Sequence, residues 1–125
     1  MAGKLATSVS IVVILVAALG PPARAHHSVS MYDMDHPTTL KGTVSRLEWT
    51  NPHGYIYLEV KDDKGETTEW AVEINSPNFL KHNGWTSTIV KPGDVITVTG
   101  GAAKSGAKTM RCTTVVLGDG TVLRS

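Results

Sequence analysis

Cysteine is almost absent from this sequence: Cys112 is the only one among 125 residues. A single cysteine cannot form a disulfide within the chain, so a small domain must be held together by its apolar core. Cys112 stands among strand-like residues with no base beside it, which predicts a buried and inert thiol. Neither a G-x-S-x-G motif nor a glycine-rich phosphate loop is present. The sequence therefore gives no sign of nucleophilic catalysis or phosphate binding.

An excess of either charge is also missing, because 12 Lys and Arg stand against 11 Asp and Glu. Cleavage of a signal peptide over residues 1–25 would remove Lys4 and Arg24 and leave ten basic against eleven acidic residues. Such a balance does not favour nucleic acid or an anionic membrane as a partner.

A hydrophobic run long enough to span a membrane is lacking as well. The apolar stretch VSIVVILVAAL covers only residues 9–19, whereas a spanning helix needs about 20 residues. Helix-breaking Gly20-Pro21-Pro22 follows it, and then the small-x-small pattern Ala23-Arg24-Ala25. We predict a cleaved signal peptide over residues 1–25 and an exported protein, periplasmic or secreted, with no stable membrane anchor after processing.

The mature chain divides into an extended N-terminal arm, residues 26–37, and one domain, residues 38–125. Short segments rich in β-branched and aromatic residues, separated by turn signals, predict strands. They are Thr38–Trp49, Tyr55–Val60, Thr67–Ile74, Val95–Gly100, Thr109–Leu117 and a short Thr121–Leu123. The first segment shifts its alternation after Val44 and contains Gly42, which indicates a bent strand with a bulge.

One short helix is predicted between the third and fourth strands. Ser76 can cap it, Pro77 suits its first turn, and Gly84 suits its end, with Trp85 folding back on Leu80. This order predicts an all-β fold, a small five-stranded OB-like barrel; an SH3-like barrel or a small sandwich is the alternative.

Side-chain positions follow from the same patterns. Trp49, Trp70 and Phe79 are predicted to lie in the core, and Trp85 is given a structural role. Three glutamates, Glu48, Glu69 and Glu73, fall on outward strand positions, where we expect solvated charge.

Several short motifs recur in this order: Ala-His-His-Ser at residues 25–28, LKGTV at 40–44, EWTNPH at 48–53, SPN at 76–78, GW at 84–85 and KPGD at 91–94. In these motifs the chain resembles a family of small exported bacterial proteins of unknown function, domain of unknown function 6152. The resemblance covers essentially the whole mature chain, and EWTNPH is its most specific part. It implies export and a small domain, and it implies no activity or ligand. Val29 departs from the phenylalanine common in the family, and Met31, Met34 and His36 fall outside the family pattern.

Two adjacent histidines at the predicted cleavage site indicate a copper site. Cleavage after Ala25 would make His26 the first residue, so that its amine and imidazole could chelate copper, with His27 as a further ligand. Cleavage one residue earlier would place a histidine third from the amine, in the square-planar nitrogen set preferred by copper(II). The thioethers of Met31 and Met34 and the imidazole of His36 could add donors for copper(I). The alternative is a polar tail whose histidines are incidental.

His53 lies in the loop between the first two strands, which in an OB barrel contributes to the binding face. It could join His26 and His27 at the metal, or it could simply stabilise the turn at Asn51-Pro52. His82 is expected to interact with the negative end of the helix.

A second function is a metal-free module that binds a glycan or peptide. Tyr55 and Tyr57 share one strand face and would form an exposed aromatic strip beside Asn51. The alternative is that both tyrosines pack beneath the arm or the loop at residues 101–108. We expect a binding protein rather than an enzyme; a copper oxidase with an N-terminal histidine ranks last, because so short a chain offers little platform for a substrate.

Overall fold

The computed structural model describes Gly3 and residues 29–125, so the predicted signal peptide, His26 and His27 lie outside the described residues. A 3-10 turn, Val29–Met31, precedes the first strand. The remaining elements are β1 Thr38–Glu48, β2 Tyr55–Lys61, β3 Thr67–Glu73, α1 Pro77–His82, β4 Val95–Ala102, β5 Thr109–Val116 and β6 Val122–Arg124. The predicted order, with one short helix between the third and fourth strands, is confirmed.

The strands close into a barrel. They are hydrogen-bonded in the order β3-β2-β1-β4-β5-β6, and β3 also pairs with β5. That closing pair is parallel and joins residues 71–73 to residues 109–111. Strands β1 to β5 therefore form the five-stranded OB-like barrel predicted from the sequence, and β6 extends β5 as a short hairpin.

Strand β1 is bent so that it can pair with two neighbours. Residues 38–43 pair with β4, and residues 43–48 pair with β2. The register shifts between Val44 and Arg46, which is the predicted bulge. At Gly42 any Cβ would overlap the carbonyl oxygen of Glu59, so the close approach of β1 and β2 requires glycine there.

The core lies inside the barrel and beneath α1. It is built mainly from aliphatic strand residues together with Leu80, Trp85 and Met110, and these three side chains are at most 2% exposed. Trp49 and Trp70 are partly buried and pack against this core. The prediction for Phe79 is wrong, because its side chain is 42% exposed. The two-turn helix turns Pro77 and Leu80, three residues apart, toward the core, and Phe79 falls on its other side.

The helix begins and ends where the sequence predicts. The Ser76 hydroxyl accepts a hydrogen bond from the Phe79 amide at 3.3 Å. At the other end the Trp85 amide donates to the Leu80 carbonyl at 3.0 Å, and Gly84 has φ +85. The His82 ring nitrogen Nδ1 lies 2.7 Å from the carbonyl of Asn78, in the first turn of the helix, rather than from a carbonyl at its C-terminal end. None of the helices among the described residues has the length and apolar character needed to cross a membrane.

Candidate functional site

The N-terminal arm is docked on the barrel at the loop between β4 and β5. Tyr32 forms an antiparallel bridge with Ala103 and is only 5% exposed. The Asp33 amide donates to the Ala102 carbonyl at 2.9 Å, and the Lys104 amide donates to the Met31 carbonyl at 2.9 Å. The predicted extended arm thus contains one 3-10 turn followed by a strand-like contact, and it is anchored through a tyrosine that the sequence analysis did not single out.

A glycine on β4 makes room for the arm. A Cβ at Gly101 would lie 2.6 Å from the Met34 sulfur and 2.9 Å from the carbonyl carbon of Asp33. Atoms that close must move apart, so an alanine at this position would push the arm away from the barrel. The docked arm is therefore matched to the barrel surface by backbone pairing and by shape.

Beneath the arm lies a buried carboxylate. The Glu73 side chain is 3% exposed, and side chains from three different parts of the chain converge on its two oxygens. Tyr32 Oη donates to Oε2 at 2.9 Å, while Arg111 Nη1 and His53 Nδ1 each lie 3.0 Å from Oε1. A buried charge is tolerated only when it is paired and hydrogen-bonded in this way.

The prediction that Glu73 is solvated is wrong. Glu73 occupies the last position of β3, beside Arg111 in the parallel pairing that closes the barrel. The arm then covers it from outside, through Tyr32. Strand alternation reports only which face a residue is on, and it cannot show that a distant segment covers that face.

The contact with Glu73 orients the His53 imidazole. A carboxylate oxygen in this position suits the tautomer of His53 that carries its hydrogen on Nδ1. In a neutral ring the lone pair is then on Nε2, which is the arrangement found in histidines that bind a metal and are held from behind by a carboxylate. The His53 side chain is 37% exposed, so a ligand can approach it from solvent. Its backbone carbonyl accepts from the Thr50 hydroxyl at 3.2 Å, so His53 also takes part in the loop turn.

The other predicted metal ligands are more scattered. Met31 is 45% exposed, whereas Met34 is partly buried beside Gly101. The His36 side chain is 86% exposed, with Nδ1 3.1 Å from an oxygen of Asp33. In the docked arm and barrel, no three His, Cys, Asp or Glu side chains lie together as a group that could hold a metal.

The predicted aromatic strip is present as a pair of neighbouring rings. The centroids of Tyr55 and Tyr57 are 6.3 Å apart, and both side chains are partly buried. The Arg46 guanidinium lies 3.5 Å from the centroid of the Tyr57 ring and covers one of its faces. Asn51 is exposed, in the loop that carries His53.

Burial shapes the acid–base properties of this region. Desolvation raises the pKa of the Tyr32 phenol, and the nearby Glu73 adds to the rise although the Thr109 hydroxyl opposes it. The pKa of Tyr55 is also raised, first by burial and then by Glu73. Tyr32 therefore remains a protonated donor at neutral pH. In the barrel wall, burial raises the pKa of the Cys112 thiol to about 12, which confirms the buried, inert thiol predicted above.

Comparison with known families yields one match. The sequence model of DUF6152, a family of unknown function, matches residues 13–111 and so includes the arm, β1 to β4 and the start of β5. The matched segment contains Tyr32, His53, Glu73 and Arg111. No curated protein matches the chain.

Proposed function

The chain belongs to this family of unknown function, and we propose that it is an exported copper-binding protein whose primary ligands are His26 and His27. The observation that supports the proposal is the orientation of His53. Its Nδ1 is held by the buried Glu73, which leaves Nε2 available to a metal at a partly exposed position.

The chain between Tyr32 and the two N-terminal histidines is long enough for them to reach His53. Tyr32 and His53 bind opposite oxygens of the same carboxylate, so the anchored end of the arm lies close to the imidazole. His27 is five residues before Tyr32, and five residues span at most about 18 Å. A tether this short raises the effective concentration of the terminal ligands at His53.

The donor set suits copper. An amine and imidazole nitrogens are the ligands that copper(II) favours in a planar arrangement. Met31, which is exposed on the same arm, supplies a thioether for copper(I). Met34 and His36 are the remaining candidate donors of the arm, Met34 partly buried beside Gly101 and His36 highly exposed.

Copper titration of the correctly processed protein tests this function. We expect the protein beginning at His26, verified by mass, to bind copper(II) at least tenfold more tightly than a synthetic peptide of residues 26–31. One extra residue before His26, His27→Ala or His53→Ala should each weaken binding by about tenfold or more, since each removes or displaces one ligand.

His82→Ala is the matched control, because His82 is a surface histidine on α1 that contacts only its own helix among the described hydrogen bonds. Its copper affinity should equal that of the wild type. Affinity that is unchanged both by the extra residue and by His27→Ala overturns the terminal site. Affinity no greater than that of the peptide overturns the proposed function.

The second candidate is a glycan- or peptide-binding module without metal, favoured by the adjacent rings of Tyr55 and Tyr57. On this hypothesis the stacked Arg46 adds a charged donor beside an aromatic surface. The double variant Tyr55→Ala with Tyr57→Ala should then fold and fail to bind oligosaccharides in an array. Loss of folding would instead assign the tyrosines to structure.

A further inference from the structure

We propose that the barrel surface covered by the arm is a recognition site for an extended peptide segment in which a tyrosine is followed by acidic residues. The described part of the arm, residues 29–37, is then a built-in competitor that occupies the site until a partner protein displaces it. The site requires no metal, and all the residues that form it lie in the described arm and barrel.

The backbone of the arm pairs with the barrel as an added strand would. An antiparallel bridge joins Tyr32 to Ala103. The Asp33 amide donates to a barrel carbonyl and the Lys104 amide donates back to an arm carbonyl, both at 2.9 Å. Main-chain hydrogen bonds of this kind hold extended peptides on sheets, while pockets for alternate side chains provide specificity. The barrel therefore accepts an extended segment whose side chains fit.

The side chain that fits is a tyrosine. Tyr32 is the one buried residue among residues 29–37, and its hydroxyl donates to Glu73 Oε2 at 2.9 Å. The barrel would keep this acceptor in place without the arm, because Arg111 and His53 contact the other oxygen, Oε1. A side chain without a hydroxyl would leave Oε2 without its donor, and sites built around a hydrogen bond reject such analogues strongly. The site therefore selects a phenol.

Charge favours acidic residues after the tyrosine. Asp33 and Asp35 follow it in the arm, and the loop that receives the arm carries the exposed lysines Lys104 and Lys108. The pKa of Asp33 is lowered, first by its hydrogen bond with His36 and in smaller part by the charge of Lys104. The site and the segment that it takes are thus complementary in charge as well as in hydrogen bonding.

The arm is held by few contacts and can be displaced. Apart from Tyr32, residues 29–37 are exposed or only partly buried, and Val29 and Met31 are 58% and 45% exposed. Tyr32 itself does not belong to the core cluster inside the barrel. Segments with few buried contacts open at free energies far below that of global unfolding. A partner segment can therefore replace the arm while the barrel stays folded.

Binding of a synthetic peptide of residues 29–37 tests the site, measured by fluorescence anisotropy of the labelled peptide. The processed protein with Tyr32→Ala should bind it about tenfold or more tightly than the wild type, because a tethered tyrosine no longer competes for Glu73. The same peptide with phenylalanine in place of its tyrosine should bind the variant about tenfold more weakly, since a hydrogen bond to a buried charge is lost.

Lys104→Gln tests the contribution of charge. Added to Tyr32→Ala, it should weaken peptide binding about threefold at low salt and by less at high salt. Lys64→Gln, which changes an exposed lysine in the turn between β2 and β3, is the matched control and should leave peptide affinity unchanged. Equal losses from the two lysine variants would overturn the selection of acidic residues.

Hydrogen exchange of the wild type gives a second test that needs no change at Tyr32. Excess peptide should accelerate exchange of the Asp33 amide, which leaves the barrel with the arm. The Lys104 amide should stay protected, because the incoming strand offers it the same carbonyl. Unchanged exchange at Asp33, or acceleration at both amides, would show that the peptide does not replace the arm.

Two further results would overturn the proposal. The first is a Tyr32→Ala protein, shown to be folded by circular dichroism, that does not bind the peptide or binds the tyrosine and phenylalanine peptides equally. The second is a wild-type dimer in size-exclusion chromatography that is lost in Tyr32→Ala, because it would assign the site to the exchanged arm of a second copy. We expect both proteins to elute as monomers over a range of concentrations.

Discussion

The end of α1 and the docked arm each bury one large aromatic side chain, Trp85 and Tyr32, but they differ in where their signals lie along the chain. The helix end is specified by ten consecutive residues, from Ser76 to Trp85. The arm depends on Glu73, which is 41 residues away in sequence. The first kind of structure can be predicted from neighbouring residues, and the second requires knowledge of the fold.

At the helix end each local signal supports the next. Ser76 caps the first turn, Gly84 adopts the left-handed conformation, and the Trp85 amide then reaches the Leu80 carbonyl. The Trp85 ring is buried as a result, and its Nε1 donates to the Arg124 carbonyl at 2.7 Å. This hydrogen bond, and the packing of the ring against the barrel core, lie outside the local motif.

At the arm no local signal is comparably strong. Tyr32 stands between Met31 and Asp33 in a segment without clear periodicity, and nothing nearby in sequence marks it as buried. Its position depends on backbone pairing with Ala103, on the space at Gly101 and on the acceptor Glu73. Gly101 and Ala103 are neighbours in sequence, but Glu73 comes close to them only when β3 pairs with β5 and the barrel closes.

The largest effect is expected at the helix end. Trp85→Ala should lower the free energy of unfolding by about 4 kcal/mol, because it leaves a cavity beneath α1 and removes the hydrogen bond to Arg124. Urea denaturation followed by circular dichroism measures the change. A loss below about 1 kcal/mol would show that the barrel is stable without its helix end. The helix end would then contribute less to stability than the residues beneath the arm.

A smaller loss is expected beneath the arm. Glu73→Gln keeps the side-chain volume but places a neutral amide where Arg111 and His53 each contact a carboxylate oxygen. Removing one partner of a buried pair costs about 3–5 kcal/mol, and we expect about 3 kcal/mol because Arg111 and His53 can both turn toward water. The same denaturation experiment applies. Glu69→Gln, an exposed glutamate on the same strand, is the control and should change stability by less than about 0.5 kcal/mol.

Much of the fold could be predicted because its signals are local. The phase shift after Val44 indicated the bulge in β1, and the cap residues indicated α1. For the candidate site, the sequence identified His53 in a loop and proposed the histidines at the predicted cleavage site as ligands. It did not identify Tyr32, Glu73 or Arg111. Glu73 and Arg111 are 38 residues apart in sequence, and only the parallel pairing of β3 with β5 brings them together.

Phe79 provides the smallest predicted effect and a check on the helix end itself. Its ring is exposed although it stands next to the buried Leu80, so Phe79→Ala should remove little buried area. Alanine has the higher helix propensity, which offsets part of any lost contact, and we expect a change within about 0.5 kcal/mol. Urea denaturation of this variant alongside Trp85→Ala compares the effects of two aromatic residues in the same motif.

A loss of unfolding free energy above about 2 kcal/mol would contradict the outward orientation of Phe79 and would restore the core position predicted from sequence. A change near zero would show that this two-turn helix buries only one narrow face. The i, i+3 spacing of Pro77 and Leu80 is then the sequence signal that identifies the buried face.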